Sequence, residues 1–435
     1  MYVKINAVDY THIGNLTFSP QTDVIGDALP INEFECDIYT DDAITYGDGI
    51  SLYDDANNLW AYYNIVYAEP LNGVCVHVRA QSDIMMLDQV TLDEIMYNGT
   101  LVSDALDDVF SVPIKSTGLY VLLSYDLDES FAQTTLTGYC PEQTARERLQ
   151  WICYSIGAYV QTYAADETKI KPLPESATLV PMEKTFLRPT VSHSDYVTAV
   201  KATAYAFSQS PQTEQEFLAD NTSYKFPPPW VAEEQEFSLA NPAAPGTAPE
   251  NIVEVDGVYL LNAMNVSGVL SRLGRVHFQR TKVDVDVINN GEYWPGQKLT
   301  ICVNESTMAT GYVESAAFRF GKQARSTLRL VAADTVDTAN LTIIYTYNGI
   351  QLARATYLFP VGYEYTIQNP YIDMFISGLR YIFRPTTATT TGTMPAAGAE
   401  ATVTCAIALA WRDDILRIVS VDNVTVNNQN VAVIS

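Results

Sequence analysis

The sequence predicts a mainly β protein with one small α+β domain: two related β-barrel domains and a C-terminal β domain. Three observations carry that reading. Short apolar–polar alternations bounded by Gly, Pro and Asn turns recur along most of the chain, at a spacing of roughly ten residues. The period changes once, over 98–180, to a helical one. Two stretches of β pattern also match each other at a constant offset.

Residues 1–97 read as the first β-barrel domain. Phe34-Glu-Cys-Asp-Ile-Tyr39 alternates with period two, and Gly49–Tyr53 follows a Gly-Asp-Gly turn. Leu59–Tyr67 and Val74–Val78 are parted by Pro70 and Asn72-Gly73. Residues 98–180 read as the small α+β domain. Ser103 is placed to cap a helix through Phe110, with Asp104 and Asp107 near its positive end. Thr144 and Glu147 have capping-box spacing. Leu149, Ile152, Cys153, Ile156 and Val160 then fall on one helical stripe. Asp166-Glu-Thr reads as a turn between two strands, the second ending at Lys171-Pro-Leu-Pro174.

Residues 181–335 read as the second β-barrel domain. Tyr196–Tyr205 is a long strand, and the Pro-, Glu- and Ala-rich segment 208–252 reads as a long insertion without a core. Strands resume at Val276–Phe278, Lys282–Val287, Lys298–Val303, Thr310–Val313, Ala317–Phe320 and Ser326–Val331. In Lys282–Val287 the valines mark a buried face and Asp284 and Asp286 a wet one. Residues 336–435 read as a C-terminal β-sandwich-like domain. Leu341–Tyr347 runs into an Asn348-Gly349 turn, and the Thr/Gly/Pro/Ala stretch Pro385–Gly398 reads as a mobile loop. Strands near Ala401–Leu409 and Ile415–Val421 close the chain.

The offset between the two barrel segments stays near 249 residues, with Leu52 standing against Ile301. In the first, Phe34–Tyr39 leads through Gly47-Asp-Gly49 to Ile50–Tyr53, an Asn57-Asn58 turn and two more strands. In the second, Val283–Val287 leads through Asn289-Asn-Gly291 and Pro295-Gly296 to Lys298–Val303, an Asn304-Glu-Ser306 turn and two more strands. Three copies of such a chain would present six similar barrels in a ring, which could mate with a sixfold ring.

Composition narrows the function. Among 435 residues, Asp and Glu number 51 and Lys and Arg 25, a formal charge of −26. Such a surface repels nucleic-acid phosphates and anionic lipid, which disfavours DNA or membrane-surface binding but not passage of DNA without sticking. No apolar run is long enough for a membrane span, and Met1–Leu16 lacks the basic and apolar regions of a signal peptide. Cys36, Cys75, Cys140, Cys153, Cys302 and Cys405 are widely spaced, form no CxxC and read as free thiols packed as small hydrophobes. The Asn-x-Ser/Thr triplets at Asn15, Asn98, Asn221, Asn340 and Asn423 read as turn and strand chemistry.

Catalytic motifs are missing. There is no phosphate loop, GxGxxG, GxSxG or HExxH, and His12, His77, His193 and His277 stand apart from one another. Asp41-Asp42, Asp54-Asp55, Asp107-Asp108 and Asp126-Leu-Asp-Glu129 offer oxygen ligands without the spacing of an EF-hand, and read as solvated turns and a helix start. No catalytic, cofactor-binding or metal-binding residue is assigned, and neither enzyme activity nor a cofactor is expected.

In this order, several segments resemble the hub proteins of tailed phages and contractile injection systems, including the N-terminal hub module of tail-associated proteins. They are Phe34–Tyr39 with Gly47-Asp-Gly-Ile50, and Tyr97-Asn-Gly-Thr100 leading into Leu106–Phe110. Thr144–Ile152 with Ile156-Gly-Ala-Tyr-Val160, and Ile170-Lys-Pro-Leu173, follow. Trp294-Pro-Gly296, Gly311–Ser315 and Phe318-Arg-Phe-Gly321 complete the set, which covers roughly residues 1–335. The resemblance implies a homotrimeric structural hub at the tail tip, adapting a sixfold tail tube to a threefold tip, with roles in host attachment and DNA ejection. Its implied neighbours are the distal tail protein ring, the tail tube protein, the tape measure protein and a tip or spike protein, with DNA passing through unbound. It also implies a place in the virion, after synthesis in the bacterial host cytoplasm. Leu341–Leu352 followed by Val361–Thr366 is similar to the mucin-binding repeats of surface adhesins. The alternative expectation is therefore a virion or cell-surface adhesin that binds glycan through its C-terminal β domain. A wall-degrading hydrolase is the third.

Overall fold

The structure, a computed structural model, describes the chain apart from residues 27, 112–122, 164–166, 187–188, 221–224, 321–323, 377–378, 413–416, 422–423, 427–431 and 435. Asp166, Asn221, Gly321, Asn423 and the start of the strand expected at Ile415 lie outside the described residues. Two compact units form: Met1–Ile301 with Thr310–Asp334, and Cys302–Ala309 with Thr335–Ser435.

The first unit is organised by one thirteen-stranded sheet, numbered here in chain order. Its strands are β1 (Tyr2–Ile5), β2 (Val8–Tyr10), β3 (Ile13–Phe18), β4 (Glu33–Ile38), β5 (Gly49–Tyr53), β6 (Leu59–Asn72) and β7 (Cys75–Gln81). They continue as β8 (Thr178–Leu179), β9 (Thr190–His193), β10 (Thr281–Ile288), β11 (Lys298–Asn304), β12 (Thr307–Arg319) and β13 (Arg325–Val336). The hydrogen-bonded order is β9-β10-β13-β12-β3-β4-β7-β6-β5-β1-β2, with β11 against β12 and β8 against β11. The strands of both expected barrels thus share one sheet. Alternation puts Phe34, Cys36 and Ile38 of β4, and Val283, Val285 and Val287 of β10, on buried faces.

The α+β segment packs helices α1 (Val102–Phe110) and α2 (Ala145–Ile156) beside the pair Ile95–Leu101 and Thr135–Cys140. The Thr144–Glu147 capping box is complete, and Gly157 closes α2 in the left-handed conformation at φ +82°. Leu149, Ile152 and Cys153 are buried as the stripe required. Val160 is not on the helix: Gly157 ends it, and Val160 belongs to the strand Ala158–Gln161. Ser103 is likewise not the cap of α1. The cap is Leu101, with no side-chain capping bond, and the first free N–H, on Val102, donates to the Thr134 carbonyl at 2.9 Å.

Two further expectations are corrected. Val276–Phe278 is no strand, because Val266–His277 forms helix α4, whose Val269, Leu270 and Leu273 pack on Val200, Ala202 and Ala204. Gly268 and Gly274 depress the local helix propensity and masked it. Gly274 also lets Phe278 and Leu239 approach to where a Cβ would be crowded, at 2.9 and 3.0 Å. Segment 208–252 is not a bare loop: it holds α3 (Pro211–Asp220) and the strand Trp230–Ala240, which pairs antiparallel with Ala199–Gln209. That strand buries no residue, so hydropathy could not reveal it.

In the second unit, strands run in the order Ile350–Pro360, Thr338–Tyr347, Ala399–Arg412, Leu379–Pro385, Ile372–Ile376. Asn348 (φ +49°) and Gly349 (φ +77°) make the tight hairpin turn the sequence announced. Pro385–Gly398 is not a mobile loop throughout, since Thr389–Thr393 pairs antiparallel with Glu364–Gln368. Gly392 makes room there for the Tyr365 ring. No helix among the described residues is long and apolar enough to cross a membrane.

Candidate functional site

The internal repeat is visible as identical strand pairing. The first module runs β4-β7-β6-β5 and the second β10-β13-β12-β11. Cys36 faces Val78 in one and Val285 faces Leu328 in the other. The turns entering β5 and β11 are the same to the hydrogen bond. Gly47 (φ +88°) donates to the Ile65 carbonyl at 2.8 Å, and Ile65 donates to Asp48 at 2.9 Å. Gly296 (φ +86°) donates to Val313 at 2.7 Å, and Val313 donates to Gln297 at 2.8 Å. Ile65 and Val313 are both fully buried.

The modules meet at a seam between β3 and β12. Phe18 pairs with Phe318 and Gln21 bridges to Ser315. Thr22 donates to the Glu314 carbonyl at 2.9 Å, and Ala316 to the Pro20 carbonyl at 3.0 Å. Phe18 is completely buried, stacked on Phe318 (5.8 Å between centroids) and edge-on to Phe34, Tyr63 and Trp294. Trp60 packs edge-on to Trp294 and Phe318. Aromatic pairs of this kind add roughly 0.5–1.5 kcal/mol each beyond their area burial. The sequence named Phe318 within a motif but not Phe18, whose partner lies 300 residues away. A cleft of about 680 Å³ beside the seam is lined by Trp60, Trp294, Tyr159, Lys169, Lys171 and Lys298 among others.

Polar groups in this unit hold loops and helix ends. Asp54 accepts from the Ala56 and Asn58 amides, from the Asn58 side chain and from the Trp60 indole. Burial pushes its carboxyl up, but these donors prevail and hold it below its usual value. Asp128 accepts from the Ser130 amide and Asp107 from the Tyr125 hydroxyl. Arg148 is buried and donates to the carbonyls of Asp93 and Pro141. Arg272, also buried, donates to Tyr154 and Ala158 around the C-terminus of α2. His77 contacts Asp37 at 2.8 Å, which is the first cause of the lowered Asp37 carboxyl. Among the described residues no group of three or more His, Cys, Asp or Glu side chains could hold a metal ion. Burial raises the Cys36, Cys140 and Cys153 thiols to about 12, which leaves them inert as nucleophiles.

Asp83 is different. Burial pushes its carboxyl up to about 6, although Asn64 donates a hydrogen bond to it. The folded state therefore holds this proton over a pH range where the unfolded chain, with a carboxyl near 3.9, has lost it. Stability falls as pH rises from about 4 to 6. Asp83→Asn is expected to stabilise the protein by about 1–2 kcal/mol at pH 7, with the difference vanishing below pH 4. Urea melts of both proteins at pH 4 and pH 7 read this.

What these elements define is a class: a two-module β protein whose halves repeat one strand order and join edge to edge. No family model matches the chain, and no curated protein matches it in sequence. Solved structures are similar in fold. A tail protein from Neisseria meningitidis MC58 is 12% identical, with a TM-score of 0.51, over 76% of this chain and 95% of that one. The prophage MuSo2 43 kDa tail protein from Shewanella oneidensis is 9% identical, with a TM-score of 0.50, over 77% of this chain and 99% of that one. The chain therefore has the fold of these tail proteins, the kind of fold its resemblance to phage hubs implies.

Proposed function

We propose that this chain is a structural hub subunit of a phage tail and acts without catalysis. Three copies, carrying two modules each, set six similar modules around an axis and adapt a sixfold tail tube to a threefold tip. The observation that carries the reading is the repeated module, with its matched turns at Gly47 and Gly296. The fold shared with tail proteins supports it. The distal tail ring, tube protein, tape measure and tip or spike protein are its neighbours in this reading, and the virion is its location. The acidic balance, −26, suits a passage that DNA crosses during ejection without adhering. Host attachment belongs to the assembled tip.

Light scattering after size exclusion tests the reading. Three copies of the 48.1 kDa chain give about 144 kDa. That mass, or assembly to it on adding tube and distal-ring proteins, is the expected result. A 48.1 kDa species that stays monomeric with those partners overturns it.

A further inference from the structure

The two-module pattern leaves one joint unmade. Within the chain, β12 leaves β11 behind at Val313, whose bonds to Gly296 and Gln297 mark the start of that strand. The vacated side, Glu314 to Phe318, is filled by Phe18 to Thr22 of the first module. In the first module β6 does the same at Ile65, which bonds Gly47 and Asp48 just before β5. Beyond it, β6 pairs only with β7 among the described residues, and Tyr67 and Glu69–Asn72 are exposed. Among the described residues nothing plays for β6 the part that β3 plays for β12.

The missing strand exists on the other module. β3 lies on β4 with Phe18 against Phe34, and β9 lies on β10 with Val191 against Val283. Phe34 and Val283 are repeat equivalents, 249 residues apart, so Val191 stands where Phe18 stands. Thr17 and Thr190 then coincide as well. Yet Phe18 is wholly buried, while Val191 is 42% exposed and all four residues of β9 are open. The receiving side carries Tyr67, Leu71 and Val74, large apolar side chains that are also exposed. An unpaired strand edge with apolar cover on both mating surfaces is a site for strand addition.

We propose that β9 of one copy adds to the outer half of β6 of a second copy, reproducing between chains the β3–β12 seam within the chain. The occupant of the β6 edge is thus a second copy of this protein, with Val191 placed over Pro70 as Phe18 is placed over Phe318. Two backbone bonds of the seam have counterparts, from the Asp195 amide to the Val66 carbonyl and from the Ala68 amide to the His193 carbonyl; at the centre Pro70 has no N–H and offers only its carbonyl, to the Val191 amide. The contact is head-to-tail, so it closes into a ring or runs on as a filament. It rests on the hub reading above and names the surface through which the trimer forms.

Two variants test it. Val191→Asp places a charge at the centre of the joint; because Val191 is exposed in the single chain, the variant should fold, with the far-UV circular dichroism of wild type. Val191→Cys combined with Pro70→Cys should form disulfides between copies on mild oxidation, since the described native cysteines are all buried. The expected result is an oligomeric wild type, a folded Val191→Asp at 48.1 kDa, and a ladder of disulfide-linked species from the double-cysteine variant. An oligomeric wild type with Val191→Asp at the same mass and no ladder overturns the β9–β6 joint and leaves the hub reading standing. Monomeric wild type in the presence of tail partners, again with no ladder, overturns both.

Discussion

Phe18→Ala is expected to destabilise the first unit by about 3–5 kcal/mol, the range for truncating a fully buried phenylalanine. The ring touches both modules: it stacks on Phe318 of one and lies edge-on to Phe34 and Tyr63 of the other. Removing it deletes apolar burial and several aromatic contacts, and it opens a cavity at the strand pair that joins the halves. The backbone bonds beside it, from Thr22 to Glu314 and from Ala316 to Pro20, remain but lose their cover. Phe18→Leu fills most of the space and should cost less than half as much. Urea denaturation followed by tryptophan emission reads the change, since Trp294 lies 6.2 Å from Phe18 between ring centroids. A loss below about 1 kcal/mol for the alanine variant would show that the seam does not hold the modules together.

Gly296→Ala is expected to cost about 2–4 kcal/mol, while Gly47→Ala, its repeat equivalent, costs only about 1–2 kcal/mol. Both glycines hold the same left-handed conformation, at φ +86° and +88°, so both variants carry the same backbone penalty. Their surroundings differ. A Cβ on Gly47 meets nothing within 4 Å, whereas one on Gly296 would lie 2.2 Å from the Tyr159 ring. That ring is buried in a cluster with Val24 and Tyr312, and its hydroxyl accepts from Gln161 at 3.1 Å. It cannot swing away without breaking those contacts. The difference between the two melts isolates crowding from backbone strain. Equal losses would mean that Tyr159 yields freely.

The two glycines also show how far the sequence could be read. Gly47 and Gly296 lie 249 residues apart in it, and each occupies a turn that requires positive φ. The repeat was legible because turn chemistry and strand alternation are local, period-two properties. The capping box at Thr144 and the Asn348-Gly349 hairpin were legible for the same reason. Helix α4 was not, because Gly268 and Gly274 break the propensity signal while packing against Leu239 and the Ala199–Gln209 strand pays the difference. The strand Trp230–Ala240 was not, because it is held by ladder hydrogen bonds and buries no side chain.

By itself the sequence determined the β character of the chain, its two-fold internal repeat, the position of the small α+β insert between the repeats and the acidic surface. All four follow from residue type and near-neighbour spacing. Only the tertiary structure decided which strands share an edge. It joined both repeats into one sheet, brought Phe18 to Phe318, gave Arg272 to the end of α2 and, among the described residues, left one edge of β9 and one edge of the outer half of β6 without a partner strand. Edge pairing depends on contacts between residues hundreds of positions apart, and the backbone groups that make those bonds are the same in every residue but proline. Side-chain pattern can say that a strand exists and which face is buried; it cannot say which neighbour the strand's open edge will meet.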